Sequence, residues 1–157
     1  MNTQKALSLE LDIYWDDLSV GTWFRSGKRS VTETDLVNFA NLTWLTEALF
    51  TNTDPQDRVR MAITGRVVPG GLVYTFAEGL ISASFQVAGL AFLGAELEMR
   101  GATLVGDTLQ VECQVIESRA TSRADRGLVR TRNTVVNQRG ETVLVYTPLR
   151  MMRRRAG

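Results

Sequence analysis

The spacing of apolar residues changes midway along the chain, and the change predicts helices before it and strands after it. Near residue 36, Leu36 and Phe39 follow helical spacing. Thr32 and Asp35 lie three residues apart, as in a capping box at the start of a helix. This segment is therefore predicted to form a short amphipathic helix.

Two further segments in the first half have helical features. Asp54 and Pro55 suit an N-cap and a first helical position, so the following QDRVRMA is predicted to form a short helical turn. The segment PGGLVYTFAEGLISASF, residues 69–85, begins with turn formers and is then apolar almost all round. A helix with this composition is expected to be buried on most sides.

Apolar and polar residues alternate along three segments in the second half. The apolar sets begin at Leu93, Leu109 and Val143, and GLVRTRNTVV between the last two is predicted to be a further strand. We expect consecutive antiparallel strands joined by short turns, each with one covered face. A long apolar helix and a curved sheet bury each other, which predicts an α+β fold with the sheet wrapped round the helix.

Length and composition are typical of one soluble domain. The chain has 157 residues, of which 44% are hydrophobic and 22% charged. We expect one domain over residues 1–157, with flexible tails at 1–12 and 153–157. The net charge of +1 gives no reason to expect a nucleic-acid partner. The N-terminal segment has early acids and no long apolar core, so neither a signal peptide nor a membrane span is predicted.

The absence of histidine restricts the possible chemistry. Ser-His-Asp and Cys-His catalysis are excluded, as are metal sites that need an imidazole. Cys113 is the only cysteine, so no intrachain disulfide forms, which fits a reducing compartment such as the cytoplasm. Its alternating neighbours predict a small apolar residue on the inner face of a strand. Carboxylates and backbone groups must carry any chemistry, and no metal or cofactor is expected.

The order of the segments resembles that of the MaoC-like hydratase/dehydratase family of hotdog-fold proteins. The resemblance runs from Trp15 to Met152, through TETDLVNFANLT, a loop ending TDP, GRVVPGGLVYTFAEGLI, GDTLQVECQV and VVNQRGETVLVY. It implies a hotdog fold and hydration of enoyl thioesters, or dehydration of (R)-3-hydroxyacyl thioesters, carried by coenzyme A or an acyl carrier protein. It also implies a homodimer or higher homo-oligomer. The family signature is D-x-N-P-x-H, with an acid and a histidine five positions apart.

The signature fits this sequence in two registers. Counting without gaps from FANLT puts Leu45 at the acid and Phe50 at the histidine, which leaves an apolar pocket. Counting back from TDP puts Glu47 at the acid and Asn52 at the histidine, with two residues inserted near Trp44. The second register is preferred because loops tolerate short insertions. In this register Glu47 is the catalytic base and the amide of Asn52 holds the water. The alternative interpretation is that Glu47 is a solvated acid and Asn52 a turn residue.

The start of the long helix is the other predicted part of the site. Gly70 and Gly71 open the helix, where free N–H groups and the helix dipole suit a developing negative charge. The resemblance makes the Gly71 amide an oxyanion donor, although relatives often have a His-Gly pair where Pro69 and Gly70 stand. Thr75 matches a position where relatives carry a small hydroxyl residue, but such a residue more often bonds the preceding turn.

Basic residues are candidates for binding phosphates of coenzyme A or an acidic carrier protein. They comprise the terminal run from Arg150 to Arg155, together with Arg66 and Arg100. The alternative is that the charged tail is only solvated and binds no ligand.

Three functions remain open at this point. They are a hydratase or dehydratase acting through the residues above, a thioesterase, and a non-catalytic hotdog subunit that binds an acyl thioester or stabilises a catalytic partner.

Overall fold

A computed structural model of the protein describes residues 12–61 and 64–156. The strands in these ranges are β1 (Trp23–Ser30), β2 (Gly89–Met99), β3 (Thr108–Ala120), β4 (Arg126–Val136) and β5 (Thr142–Arg153). The α-helices are α1 (Glu33–Thr43), α2 (Ala48–Thr51), α3 (Pro55–Arg60) and α4 (Gly70–Ser82). Short 3-10 helices cover Trp15–Asp17 and Ala83–Phe85.

The strands form one antiparallel sheet in the order β1-β3-β4-β5-β2. The prediction that consecutive strands are neighbours is correct for β3, β4 and β5, but it is wrong for β2, which pairs with β5 at the far edge. The segment between β2 and β3 crosses the end of the sheet and is held there by backbone bonds from Val68 to Thr103 and from Val105 to Arg66. β1 was not predicted, since Phe24 and Ser26 are its only buried residues and give no sustained alternation.

Helix α4 packs across the inner face of the sheet and forms the centre of the core. Its buried residues are Leu72, Val73, Ala77 and Ile81, and they lie against a buried apolar layer from β1, β3, β4 and β5. The prediction of burial on most sides is correct with one exception. A strip of small residues at Gly71, Thr75 and Gly79 is exposed, so one face of the helix remains open.

The local signals for the shorter helices are confirmed. The Thr32 hydroxyl accepts a hydrogen bond from the Asp35 N–H at 3.2 Å, and the Thr32 N–H donates to the Asp35 carboxylate at 2.8 Å. This N–H bond and a bond from the Thr32 hydroxyl lower the pKa of Asp35. The Asp54 carboxylate accepts from the Gln56 N–H at 2.8 Å, with Pro55 at the first helical position of α3.

Strand β2 differs from the prediction of one covered face. Its apolar side chains are about half exposed, including Leu93 at 49%, Leu97 at 47% and Met99 at 49%. The reason is its position, because an edge strand has a neighbour on one side only and α4 covers the central strands first. The alternation along β2 therefore marks an apolar surface of this chain.

The first 3-10 helix and the residues after β5 meet at one side of the sheet. Arg153 is the last residue of β5, and the Arg154 and Arg155 side chains donate to Asp16 and Asp17 at 3.1 and 2.6 Å. Of the predicted tails, residues 1–11 and 157 lie outside the described residues. In the described part of the chain, no helix combines the length and apolar character needed to cross a membrane.

Candidate functional site

A cavity of about 390 Å³ lies at the N-terminus of α4. Its lining residues come from α1, from the α1–α2 loop, from α2 and from the start of α4: Phe39, Thr43, Leu45, Glu47, Phe50, Pro69, Gly70 and Gly71. The structure thus brings together Glu47, Gly70 and Gly71 of the predicted site. Asn52 and Thr75 are not among the lining residues.

The N-terminus of α4 presents uncapped backbone donors to this cavity. Pro69 is the N-cap and provides no side-chain hydrogen bond, while its carbonyl accepts from the N–H groups of Leu72 and Val73. Gly70 and Gly71 occupy the first two helical positions, whose N–H groups have no acceptor within the helix. With the dipole of a 13-residue helix behind them, these donors suit a developing oxyanion.

The absence of side chains at the two glycines keeps the approach to these donors open. A Cβ at Gly70 would lie 2.8 Å from the terminal methyl carbon of Met99, and a Cβ at Gly71 would lie 3.3 Å from Cζ of Phe39. A larger side chain at Gly71 would therefore press on Phe39, which lines the cavity, and one at Gly70 would press on Met99.

Glu47 is the one titratable residue among those that line the cavity. It is the N-cap of α2, and its backbone carbonyl accepts from the N–H groups of Phe50 and Thr51. Its carboxylate makes no capping bond, and the residue is exposed. The carboxylate is therefore available to a ligand in the cavity.

Asn52 has a different local role, as a turn residue between α2 and α3. Its Nδ2 donates to the Asp57 carboxylate at 3.0 Å, and its Oδ1 accepts from the Asp54 N–H at 2.9 Å. Both functions of the amide are thus used within the turn. The structure gives Asn52 no contact with the cavity lining that would let it hold a water there.

The positions around α2 agree with the ungapped register of the D-x-N-P-x-H signature. In that register Glu47 stands at the asparagine and Ala48 at the proline, and these two residues are the N-cap and first residue of α2. Asn is favoured at an N-cap and Pro at the first helical position, so the signature's asparagine and proline suit the same start of a helix. Leu45 and Phe50, at the acid and histidine positions of this register, both line the cavity.

Arg66, predicted as a phosphate-binding candidate, and Arg58 tie the helices α1, α2 and α3 to the segment before α4. Arg66 bonds the carboxylate of Glu33 through Nε and Nη2, at 3.0 and 2.8 Å, and donates to the Phe50 carbonyl. Arg58 donates to the carbonyls of Asn52 and Gly65. Glu33 and Arg66 are 33 positions apart, so no local sequence signal links them.

The remaining predicted residues have local partners. The Thr75 hydroxyl lies 3.0 Å from the carbonyl oxygens of both Gly71 and Leu72, as in the common back-bonding arrangement. Arg100 is paired with Glu98 at 2.7 Å. Cys113 is buried on the inner face of β3, as predicted, and burial raises the pKa of its thiol.

A sequence profile of the FAS1-like dehydratase domain region matches residues 19–145, which is most of the chain. The chain belongs to this dehydratase family. No curated protein matches the sequence significantly.

Solved structures place this dehydratase-family chain among MaoC-like hotdog proteins. A MaoC-like dehydratase from Rhodospirillum rubrum is 27% identical, with a TM-score of 0.73 over 92% of this chain and 99% of that one. The monoamine oxidase regulatory protein from Archaeoglobus fulgidus is 26% identical, with a TM-score of 0.79 over 96% and 100%. A double-hotdog protein from Mycobacterium tuberculosis, 24% identical, matches with a TM-score of 0.76 over 96% of this chain and 48% of its own. The predicted hotdog fold and MaoC-like resemblance are therefore confirmed.

Proposed function

We propose that this protein binds an acyl thioester of coenzyme A or an acyl carrier protein in the α4 cavity and hydrates or dehydrates it through Glu47. The observation that carries the proposal is the position of one available carboxylate and two uncapped N–H groups on the same cavity. The thioester carbonyl accepts from the Gly71 N–H, and the adjacent Gly70 N–H is available as a second donor. Membership of a dehydratase family supports the reaction class.

In the hydration direction Glu47 performs both proton transfers. Its carboxylate takes a proton from water while the water oxygen bonds to the β carbon of the enoyl thioester. The electron pair of the double bond moves to the carbonyl oxygen, and the α4 N–H groups stabilise the resulting enolate. Glu47 then returns the proton to the α carbon. Dehydration is the reverse sequence, with the hydroxyl leaving as water.

Reliance on one acid-base group predicts a slow enzyme. The amide of Asn52 does not titrate, and its donor and acceptor are occupied in the turn. A missing acid-base partner lowers the rate by roughly 10²–10⁴-fold. We therefore expect weak turnover compared with a family member that has both the acid and the histidine.

A second candidate is a subunit that binds acyl thioesters without turnover. Leu45 and Phe50, which line the cavity at the positions of the signature acid and histidine, favour it. The two candidates share the binding site and differ only in the contribution of Glu47. For both candidates we propose a cytoplasmic location, which is compatible with the single buried thiol of Cys113.

The location of the binding site is tested by Gly71→Val, with Gly79→Val as the matched control on the same helix. Valine at position 71 meets Phe39 and fills the approach to the donors, whereas a Cβ at Gly79 has no atom within 4 Å. Both variants replace a glycine of the same helix by valine. We expect at least a tenfold loss of butanoyl-CoA affinity in Gly71→Val alone, measured by titration calorimetry after circular dichroism confirms folding. Unchanged affinity in a folded Gly71→Val protein would rule out this location.

A further inference from the structure

A polar cluster of Glu78, Tyr146 and Arg150 lies between α4 and β5. The Tyr146 hydroxyl donates to the Glu78 carboxylate at 2.8 Å. Arg150 donates to both carboxylate oxygens of Glu78, at 2.6 and 2.7 Å. The Arg150 and Glu78 side chains are only 13% and 22% exposed, so this is a largely buried ion pair.

The surroundings of this ion pair contain further polar atoms that are poorly satisfied. Asn133 is the register partner of Tyr146 on β4, and its amide is fully buried without a well-formed hydrogen bond. The Nε of Arg150 is likewise buried without a partner. Burial and the charge of Glu78 raise the pKa of Tyr146, which keeps its phenol protonated. The cluster is thus unsuited to contact with hydrocarbon, because alkyl groups cannot satisfy these atoms.

The cluster lies on the same side of α4 as the oxyanion donors. Gly71, Tyr74 and Glu78 are spaced at i, i+3 and i+7, so they share one face, and about 10 Å of helix separates the first from the last. The Tyr74 ring packs edge-on against Tyr146, with ring centroids 5.2 Å apart.

Strand β2 flanks this side of α4. Met99 lies against Gly70, and Leu97 is the register partner of Tyr146. Both β2 side chains are apolar and about half exposed. An acyl chain laid from a thioester carbonyl at the α4 N-terminus along this side of the helix would meet Met99 and Leu97 before it reached Glu78 and Arg150.

We propose that Glu78, Tyr146 and Arg150 close the acyl end of the site and restrict the protein to thioesters of short acyl chains. This inference rests on the proposed binding of acyl thioesters at the α4 N-terminus. Each methylene along the apolar part of the path gains affinity by leaving water. A methylene that reaches the cluster must displace a bonded carboxylate–guanidinium pair, and separating that pair leaves uncompensated buried charge.

The affinity series of the wild-type protein is the first test. Titrations with acetyl-, butanoyl-, hexanoyl-, octanoyl- and dodecanoyl-CoA are expected to show about a fourfold gain per methylene up to hexanoyl. From octanoyl onward the affinity is expected to level off or fall. A continued rise through dodecanoyl-CoA overturns the closure while leaving acyl-thioester binding intact. Absence of binding at every acyl length overturns both the closure and the proposed binding of acyl thioesters.

The second test removes the cluster as a unit. In Glu78→Leu/Tyr146→Phe/Arg150→Met all three polar groups become apolar at similar volume, a change that buried ion pairs often tolerate. The control is Glu112→Leu/Arg25→Met, which removes an exposed cross-strand ion pair. We expect the ratio of dodecanoyl-CoA to butanoyl-CoA affinity to rise at least tenfold in the triple variant, and the control to keep the wild-type ratio. A folded triple variant with the wild-type length profile overturns the proposal, and if it does not fold, the wild-type series alone decides.

Discussion

At the scale of single residues, Glu47 and Asn52 were predicted to act as a pair but have different surroundings in the structure. Both belong to one predicted pair, five positions apart. Glu47 caps α2 through its backbone and leaves its carboxylate at the cavity, whereas Asn52 uses its whole amide in the turn before α3. The Asn-Thr-Asp-Pro sequence already contained this alternative, since such residues form turns on their own.

The register of the signature is tested by restoring an acid and a histidine. Leu45→Asp/Phe50→His puts both groups on the cavity wall, so we expect at least a tenfold increase in hydration of a short enoyl-CoA over the wild type. The matched pair Glu47→Asp/Asn52→His gives no such increase, because position 52 faces the turn. The measurement is loss of the conjugated thioester's ultraviolet absorbance, with folding checked by circular dichroism. Gain of activity in the second pair and not the first would support the gapped register instead.

At the scale of elements, the crossing segment between β2 and β3 is fastened to the β4–β5 turn by Asp107. This carboxylate accepts from the Leu104 N–H at 2.9 Å, from the Gln138 amide at 2.8 Å and from the Arg139 guanidinium at 3.1 Å. Burial raises the pKa of Asp107, but the three donors outweigh it, so the pKa is lowered overall. The ionised form is therefore the one that stabilises the fold.

Asp107→Asn is expected to lower the free energy of unfolding by about 2 kcal/mol at neutral pH. Because the folded pKa is depressed, the contribution of the carboxylate is present above its unfolded pKa of about 3.9 and is lost as the pH falls through the folded value. The difference between variant and wild type should therefore shrink near pH 3, as measured by urea denaturation at both pH values. Asp125→Asn, which alters an exposed pair with Arg126, is the control expected to change little. An equal difference at the two pH values would contradict this account.

Strand β2 is an edge strand with an apolar surface, and we expect a second copy of the chain to cover it. Leu93, Leu97 and Met99 are each about half exposed there, and an open sheet edge favours pairing with another strand. Sedimentation at micromolar concentration is expected to show a dimer for the wild type and for the control Val20→Lys, which alters an exposed residue outside the strands. Leu97→Lys should shift the equilibrium at least tenfold toward monomer. A wild-type monomer would refute the expectation.

At the scale of the whole molecule, the sequence predicted the α+β layers and the hotdog fold. Helical spacing near Leu36, turn formers before α4 and alternation in β3 and β5 were sufficient for the α+β layers, because each signal is local, whereas the hotdog fold was implied by the resemblance to MaoC-like proteins. The place of β2 beside β5, and the existence of β1, depend on pairings between distant segments that periodicity does not encode. The ion pair between Glu33 and Arg66 was missed for the same reason.

The candidate site was predicted in part. The sequence pointed to Gly70 and Gly71 because a helix N-terminus is recognisable from its turn formers. It pointed to Glu47 through the gapped register, although the positions around α2 fit the ungapped one. The hydrogen bonds of the Asn52 amide to Asp54 and Asp57 depend on the exact geometry of the α2–α3 turn, which the sequence leaves open. The cluster around Glu78 was not predicted, since its members come from α4 and from β5, which are far apart in the sequence.

The central claim is that Glu47 performs the acid-base chemistry on a thioester held at the α4 N-terminus. The most direct measurement is the hydration rate of a short enoyl-CoA by wild type and Glu47→Gln, with butanoyl-CoA affinity measured on the same samples. The account predicts slow but measurable hydration by the wild type, no detectable hydration by Glu47→Gln, and affinities within about threefold of each other, because the amide keeps the shape of the side chain and removes only its titration. Equal hydration by the two proteins would contradict the role of Glu47, and binding without hydration in the wild type would establish the non-catalytic subunit instead.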